Sequence, residues 1–176
     1  VFIVGVPTGI PERQTETGRF TFWEDNETLV VMDDRLGGQG ASRLNLKTGE
    51  MTSISLDGPP LPEGYNYIIK TRVPESQRAF GHELLRTNGG VVQGDHRLFT
   101  ADLSSGVVER IEPFAINPVY VPGGFLMYQI RDDSGKLVVR PVDPQTGQFT
   151  GQPMDVLQEG LYSSFGFYEV SSNGDL

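Results

Sequence analysis

His82 and His96 are the only histidines among 176 residues, and cysteine is absent. Thiolate nucleophiles, disulfides and cysteine-held zinc are excluded together. The stretch HELLR, His82 to Arg86, follows the zinc-protease pattern until its fifth position, where Arg86 stands in place of the second imidazole. A single imidazole on one helical turn does not make a zinc site. A Ser-His-Asp triad would have to use one of the two histidines, and no G-x-S-x-G elbow exists, since Ser42 in GQGASRL is followed by Arg43 and Leu44. GGQGAS, Gly37 to Ser42, carries Gly-x-Gly without a third glycine and leads into β-formers, so no helix N-terminus is set for a phosphate. Both histidines are read as surface or loop residues, and the chain as non-enzymatic.

Oxygen ligands are the remaining metal chemistry. RDDSGK offers the carboxylates of Asp132 and Asp133 beside a glycine, a set that suits Ca²⁺ and suits a plain turn equally well. Glu24, Asp25 and Glu27 form another acidic turn, read as a solvated surface. No organic cofactor is implied.

Aromatic residues offer binding chemistry instead. In GPPLPEGYNY, Gly58 to Tyr67, the prolines Pro59, Pro60 and Pro62 stiffen an extended loop that presents Tyr65 and Tyr67, a rigid surface able to dock a protein partner at low entropic cost. Trp23, Phe125, Tyr128, Phe165, Phe167 and Tyr168 alternate within strand-like runs and are read as core.

The elements that must carry these residues are short strands. Gly and Pro are frequent, at 22 and 12 residues, which calls for many turns. Ten runs of β-formers, RFTFW, ETLVVM, SRLNL, MTSISL, YNYIIK, HRLFTADL, VVERI, GFLMYQI, KLVVRPV and SFGFYEV, lie between turn signals, so the fold class is all-β. Pro74 to Arg86 is the one stretch read as a short helix or a long loop. The net charge of −9 disfavours a nucleic-acid partner, and no interior apolar run approaches the ~20 residues of a membrane-spanning helix. One domain over residues 1–176 is expected, with 1–19 as an N-terminal extension. There the apolar residues Val1 to Val6 suit either a buried first strand or the remnant of a membrane anchor.

SRLNLKTGEMTSI, HRLFTADLSSGVVERI and KLVVRPVDPQTGQFTG share one plan, a strand, a Thr-Gly or Ser-Gly turn and a second strand. Gly49, Gly106 and Gly147 supply the positive φ of each reversal. A preceding hairpin recurs in FTFWEDNETLVVMD, in PVYVPGGFLMYQI and, incompletely, in FGFYEVSSNGDL with its turn at Gly174. Two hairpins in succession make four strands, one propeller blade. The turn glycines lie 57 residues apart (Gly49 to Gly106) and 41 apart (Gly106 to Gly147), so the first interval needs an insertion, placed in DGPPLPEG and in Pro74 to Arg86. At ~40–45 residues per blade the chain makes roughly four blades, an incomplete ring being one outcome; a β-sandwich is the rival fold.

YVPGGFLMYQIRDDSGKLVVRPVDPQTGQFTGQPMDVLQEG, followed by FGFYEVSSNGDL, resembles the WD40-like, PD40-type repeat of TolB-like bacterial β-propellers, in which a strand ending Asp-x-x-Thr-Gly follows an aromatic hairpin. SSNGDL departs from the family turn at Ser172 and Asn173. The resemblance implies a protein-binding or assembly module, an extracytoplasmic or periplasmic subunit of a larger complex whose partners are other protein subunits, some of them membrane-associated. It equally admits the accessory propeller of a serine/threonine kinase or prolyl-oligopeptidase relative, or a small-ligand or calcium-binding propeller.

Overall fold

The computed structural model describes residues 2–4, 11–13, 19–32, 40–74, 76–87, 90–91, 96–131 and 135–157. Every regular element among them is a strand. A short antiparallel pair comes first, β1 (Phe2–Val4) with β2 (Pro11–Arg13). Three four-stranded antiparallel sheets follow. Blade I is β3 (Arg19–Trp23), β4 (Thr28–Met32), β5 (Gly40–Asn45) and β6 (Met51–Ser55); blade II is β7 (Tyr65–Arg72), β8 (Arg78–Thr87), β10 (Arg97–Asp102) and β11 (Val108–Pro113), with β9 (Gly90–Val91) paired to the end of β8. Blade III is β12 (Ala115–Val121), β13 (Phe125–Ile130), β14 (Leu137–Pro141) and β15 (Met154–Leu157). Each sheet is a meander in chain order, the blade arrangement of a β-propeller, and three blades are complete among the described residues. The fourth expected blade would draw on FGFYEVSSNGDL, which lies outside the described residues together with Gly174, Phe165, Phe167 and Tyr168.

Apolar side chains leave the strands on both faces because each blade is covered on both. From β4, Val30 and Met32 join a core with Tyr67, Ile69, Phe99 and Ala101 of blade II, while Leu29 and Val31 pack with Leu44 on the opposite face. Leu98 and Phe80 of blade II point the other way, into a core with Leu126, Tyr128 and Val138 of blade III. The Tyr67 and Phe99 rings meet edge to face at 5.1 Å, and the Arg140 guanidinium lies 4.2 Å above Phe149. Trp23, expected in the core, is instead 49% exposed, because it ends β3 at the rim of the sheet.

The stretch read as a helix or loop, Pro74 to Arg86, is the turn into β8 and most of that central strand. Ala79, Phe80, Gly81, His82 and Glu83 are all buried, since the two faces of β8 meet two different neighbours. Unbroken burial erases the alternation by which a strand is recognised, leaving Glu83, Leu84, Leu85 and Arg86 to suggest a helix. The insertion between Gly49 and Gly106 therefore resides in the β6–β7 connection, as expected, and in β8, whose 10 residues exceed the 5 of β4 and the 6 of β13 and fall largely within Pro74 to Arg86.

One turn, used three times, closes the outer hairpin of each of the three described blades. The side-chain Oδ1 of Asn45, Asp102 and Asp143 accepts from the backbone amides two and three residues on, at 2.7–3.2 Å. The backbone carbonyl of each accepts from the glycine amide at 2.7–2.8 Å, with φ of +71° at Gly49, +79° at Gly106 and +74° at Gly147. The predicted reversals thus stand at equivalent places in the three blades. These bonds, led by the hydroxyl of Ser104, hold the Asp102 carboxyl down to about 2.

Candidate functional site

The β6–β7 connection is laced to blade II before it reaches Tyr65. The Asp57 amide donates to the Gly106 carbonyl and the Val108 amide to the Asp57 carbonyl, both at 2.8 Å. Gly58 fits only because it lacks a side chain, since a Cβ there would stand 2.7 Å from both the Tyr67 hydroxyl and Val108. The Tyr67 hydroxyl donates to the Pro59 carbonyl at 2.6 Å, and Gly64 at φ +81° turns the chain into β7. What results is a cleft of ≈ 230 Å³ lined by Pro60, Pro62, Tyr65, Glu83, Arg97 and Arg110.

Three of the five residues nominated for partner binding, Pro60, Pro62 and Tyr65, therefore line one cleft. The other two support it from beneath. Tyr67 is only 2% exposed, and its phenol is pushed up by burial and by the charge of Glu83, so it belongs to the core and not to a contact surface. Asp132 and Asp133, nominated for Ca²⁺, lie outside the described residues.

Sequence reasoning missed Glu83, Arg97 and Arg110, which three different strands bring together. Glu83 is buried on β8, and its carboxylate accepts from Nε of Arg110, on β11, at 2.5 Å. Nη2 of the same guanidinium donates to the Pro60 carbonyl at 3.1 Å, fixing the loop to the sheet. Arg97 opens β10 and has no ion-pair partner among the described residues. The only advance signal for this trio was strand alternation, and it was hidden by the misread β8.

The histidines, read as surface or loop residues, are buried at 5% (His82) and 1% (His96) exposure. Nδ1 of His96 donates to the Glu83 carbonyl at 2.9 Å, and Nδ1 of His82 accepts from the Asn117 amide at 3.3 Å. Burial, reinforced by the charges of Lys70 and His96, drops His82 to about 3. Unfolding exposes an imidazole of ordinary value near 6.5, so the unfolded chain takes up a proton that the folded one refuses. His82 therefore removes stability as pH falls from about 6.5 towards 3, costing ~2 kcal/mol by pH 5. Urea unfolding at pH 7.5 and pH 5 measures the loss, and His82→Gln is expected to reduce it. Asp25, Asp102 and Asp143, all held below the usual carboxylate range by hydrogen bonds, act only at lower pH.

A second cleft, of ≈ 280 Å³, is lined by Trp23, Glu24, Arg72 and Pro74 at the opposite end of the first two blades. Its charges are committed to one another, with Glu24 2.7 Å from Arg43 and the Arg72 guanidinium donating to the Glu24 carbonyl at 2.6 Å. Ser42, the one serine preceded by a glycine-rich run, is fully buried in β5.

No family model matches the chain, and no curated protein sequence does. Solved structures do. The chain is similar to TolB from Acinetobacter baumannii (TM-score 0.63, 16% identity) over 90% of its own length and 38% of that chain. It is similar to an oligogalacturonate lyase in complex with manganese (TM-score 0.60, 15% identity) over 90% of its length and 46% of that chain. A puromycin-hydrolyzing peptidase of Mycobacterium tuberculosis follows (TM-score 0.54, 16% identity), with 82% of this chain matching 25% of that one. The chain thus spans less than half the length of each of these, and what it shares with them at this identity is the β-propeller fold.

Proposed function

We propose that this chain is a non-catalytic protein-binding or assembly module, a propeller segment that docks a partner polypeptide at the cleft where the β6–β7 connection meets blade II. The observation carrying this reading is the proline-tyrosine loop, fastened by backbone bonds at Asp57 and by the Arg110 guanidinium at the Pro60 carbonyl to the rim of a cleft that holds Arg97. A contact surface ordered in advance loses little entropy when a partner binds. The burial of both histidines and of Ser42 favours binding over hydrolysis at these residues. The TolB-like repeat and the likeness to TolB support an extracytoplasmic subunit or segment of a larger complex.

A second reading, the accessory propeller of an enzyme whose catalytic part lies outside this chain, draws on the likeness to a peptidase of which the match occupies only a quarter. A photo-crosslinking amino acid at Tyr65, compared with one at the exposed Lys47 on an outer-hairpin turn, tests both in native cells. A discrete protein adduct at 65 and none at 47 is the expected result. An adduct to a catalytic domain of the same polypeptide supports the second reading, and the absence of any adduct at 65 defeats the first.

A further inference from the structure

What the cleft grips follows from the charges and surfaces at its rim. Arg110 is committed, with Glu83 at 2.5 Å and the Pro60 carbonyl at 3.1 Å. Arg97 makes no ion pair among the described residues, so the lining carries one uncompensated positive charge in a chain of net charge −9. Such a site attracts a single anionic group, while the surrounding negative charge repels a polyanion such as a nucleic acid. At ≈ 230 Å³ the cleft is smaller than the ~300–1,000 Å³ pockets that enclose a whole small molecule. It suits the end group of something larger.

A second observation comes from the next connection. Arg97 is the register partner of Pro113, and the residue after Pro113 is Phe114. Phe114 is 52% exposed and held at φ +53°, a conformation that a side chain occupies only under strain. Its carbonyl accepts from the Arg131 amide at 2.6 Å, which locks the strained turn in place. An exposed phenylalanine at such a φ stands against both the local backbone preference and the tendency of large apolar side chains to be buried. Tyr65 at the start of β7 and Phe114 after β11 thus stand at the same end of blade II, with Arg97 at the start of β10 between them in strand order.

We propose that this end of blade II binds a peptide carboxylate, with Arg97 taking the carboxylate and Phe114 and Tyr65 receiving the adjoining apolar residue. Arg97 presents the planar fork that matches a carboxylate, and the aromatic faces contribute contact area with few rotors to freeze. The proposal rests on the protein-binding reading in taking the ligand to be a polypeptide.

The test is an NMR titration of the ¹⁵N-labelled chain with three probes: N-acetyl-Gly-Pro-Phe with a free carboxylate, the same peptide as its amide, and N-acetyl-Gly-Asp-Phe amide. Shift changes centred on Tyr65, Arg97 and Phe114 are expected with the free acid, the Asp peptide or both, and the responding probe identifies a chain-terminal or a side-chain carboxylate. The all-amide probe is expected to bind about tenfold more weakly or less, as is the free acid to Arg97→Gln, with partial recovery in Arg97→Lys. Phe114→Gly is expected to weaken binding while raising the melting temperature, because glycine holds φ +53° without strain. A merely structural phenylalanine would not move the two in opposite directions. Equal binding of acid and amide, undiminished binding by Arg97→Gln, or no response at millimolar peptide overturns the proposal. A Tyr65 cross-link that survives Arg97→Gln removes the carboxylate and keeps the docking role. Peptide-acid binding without any Tyr65 adduct in cells does the reverse.

Discussion

Gly106→Ala is expected to unfold the chain or bring it close to unfolding, while Gly49→Ala, at the same place in another blade, costs only ~1 kcal/mol. Both glycines close the same Asx turn and both have positive φ, +79° and +71°, so the strain of a side chain in that conformation, ~1–2 kcal/mol, is common to the two. Their surroundings differ. A Cβ on Gly106 would lie far inside van der Waals contact distance of the Ser55 carbonyl oxygen, at the end of β6, which cannot swing aside as a side chain can. The Asp57 amide also bonds to the Gly106 carbonyl, so relief would have to break the lacing of blade I to blade II. Around Gly49 a Cβ meets nothing within 4 Å. Gly147→Ala falls between, because its Cβ would collide with the buried Thr100 side chain, whose hydroxyl can rotate away while its Cβ must shift slightly. Against a total stability of ~5–15 kcal/mol, a backbone clash of several kcal/mol is decisive and one of ~1 is not. Urea unfolding of the three variants measures the order Gly106, Gly147, Gly49. Equal losses would mean that the turns are independent reversals and that blade-on-blade docking contributes nothing.

The same turns explain how much of the fold was legible. Asn45, Asp102 and Asp143, each four residues before a glycine, repeat a local rule that needs no tertiary information, so the outer hairpins and with them the blade plan followed directly. Strand β8 did not, because its pattern is set by two neighbouring blades. The site was half legible for a related reason. Pro60, Pro62 and Tyr65 lie within one short stretch of sequence, and local stiffness marks them out. Glu83, Arg97 and Arg110 converge only through the registers that pair β8, β10 and β11, which depend on pairings across the sheet. Tyr65 and Tyr67 share a face by strand alternation, yet one lines the cleft and the other is buried under Gly58 and Val108, a distinction made by the loop that folds back over them. Trp23 and the two histidines were misjudged from residue type, and a strand end or a covered face decided their exposure.

Arg110→Met is expected to cost more than Glu83→Gln, by ~3 kcal/mol against ~1, although the two changes break the same ion pair. The asymmetry comes from burial, since the Glu83 side chain is 2% exposed and that of Arg110 27%. Removing the guanidinium leaves a carboxylate walled off from water without its countercharge, and methionine cannot hold the Pro60 carbonyl that Arg110 also binds. Removing the negative charge through Glu83→Gln leaves an amide oxygen able to accept from Nε of Arg110, while the guanidinium keeps Pro60 and reaches solvent. Urea unfolding of both single variants and the double variant at pH 7.5 gives the coupling between them. A double variant no worse than Arg110→Met alone, with Glu83→Gln mild, places the energy in the stranded charge. Equal costs for the two single changes would instead assign it to the packing of the Arg110 stem against Pro60, and the floor of the cleft would then be held by shape and not by charge.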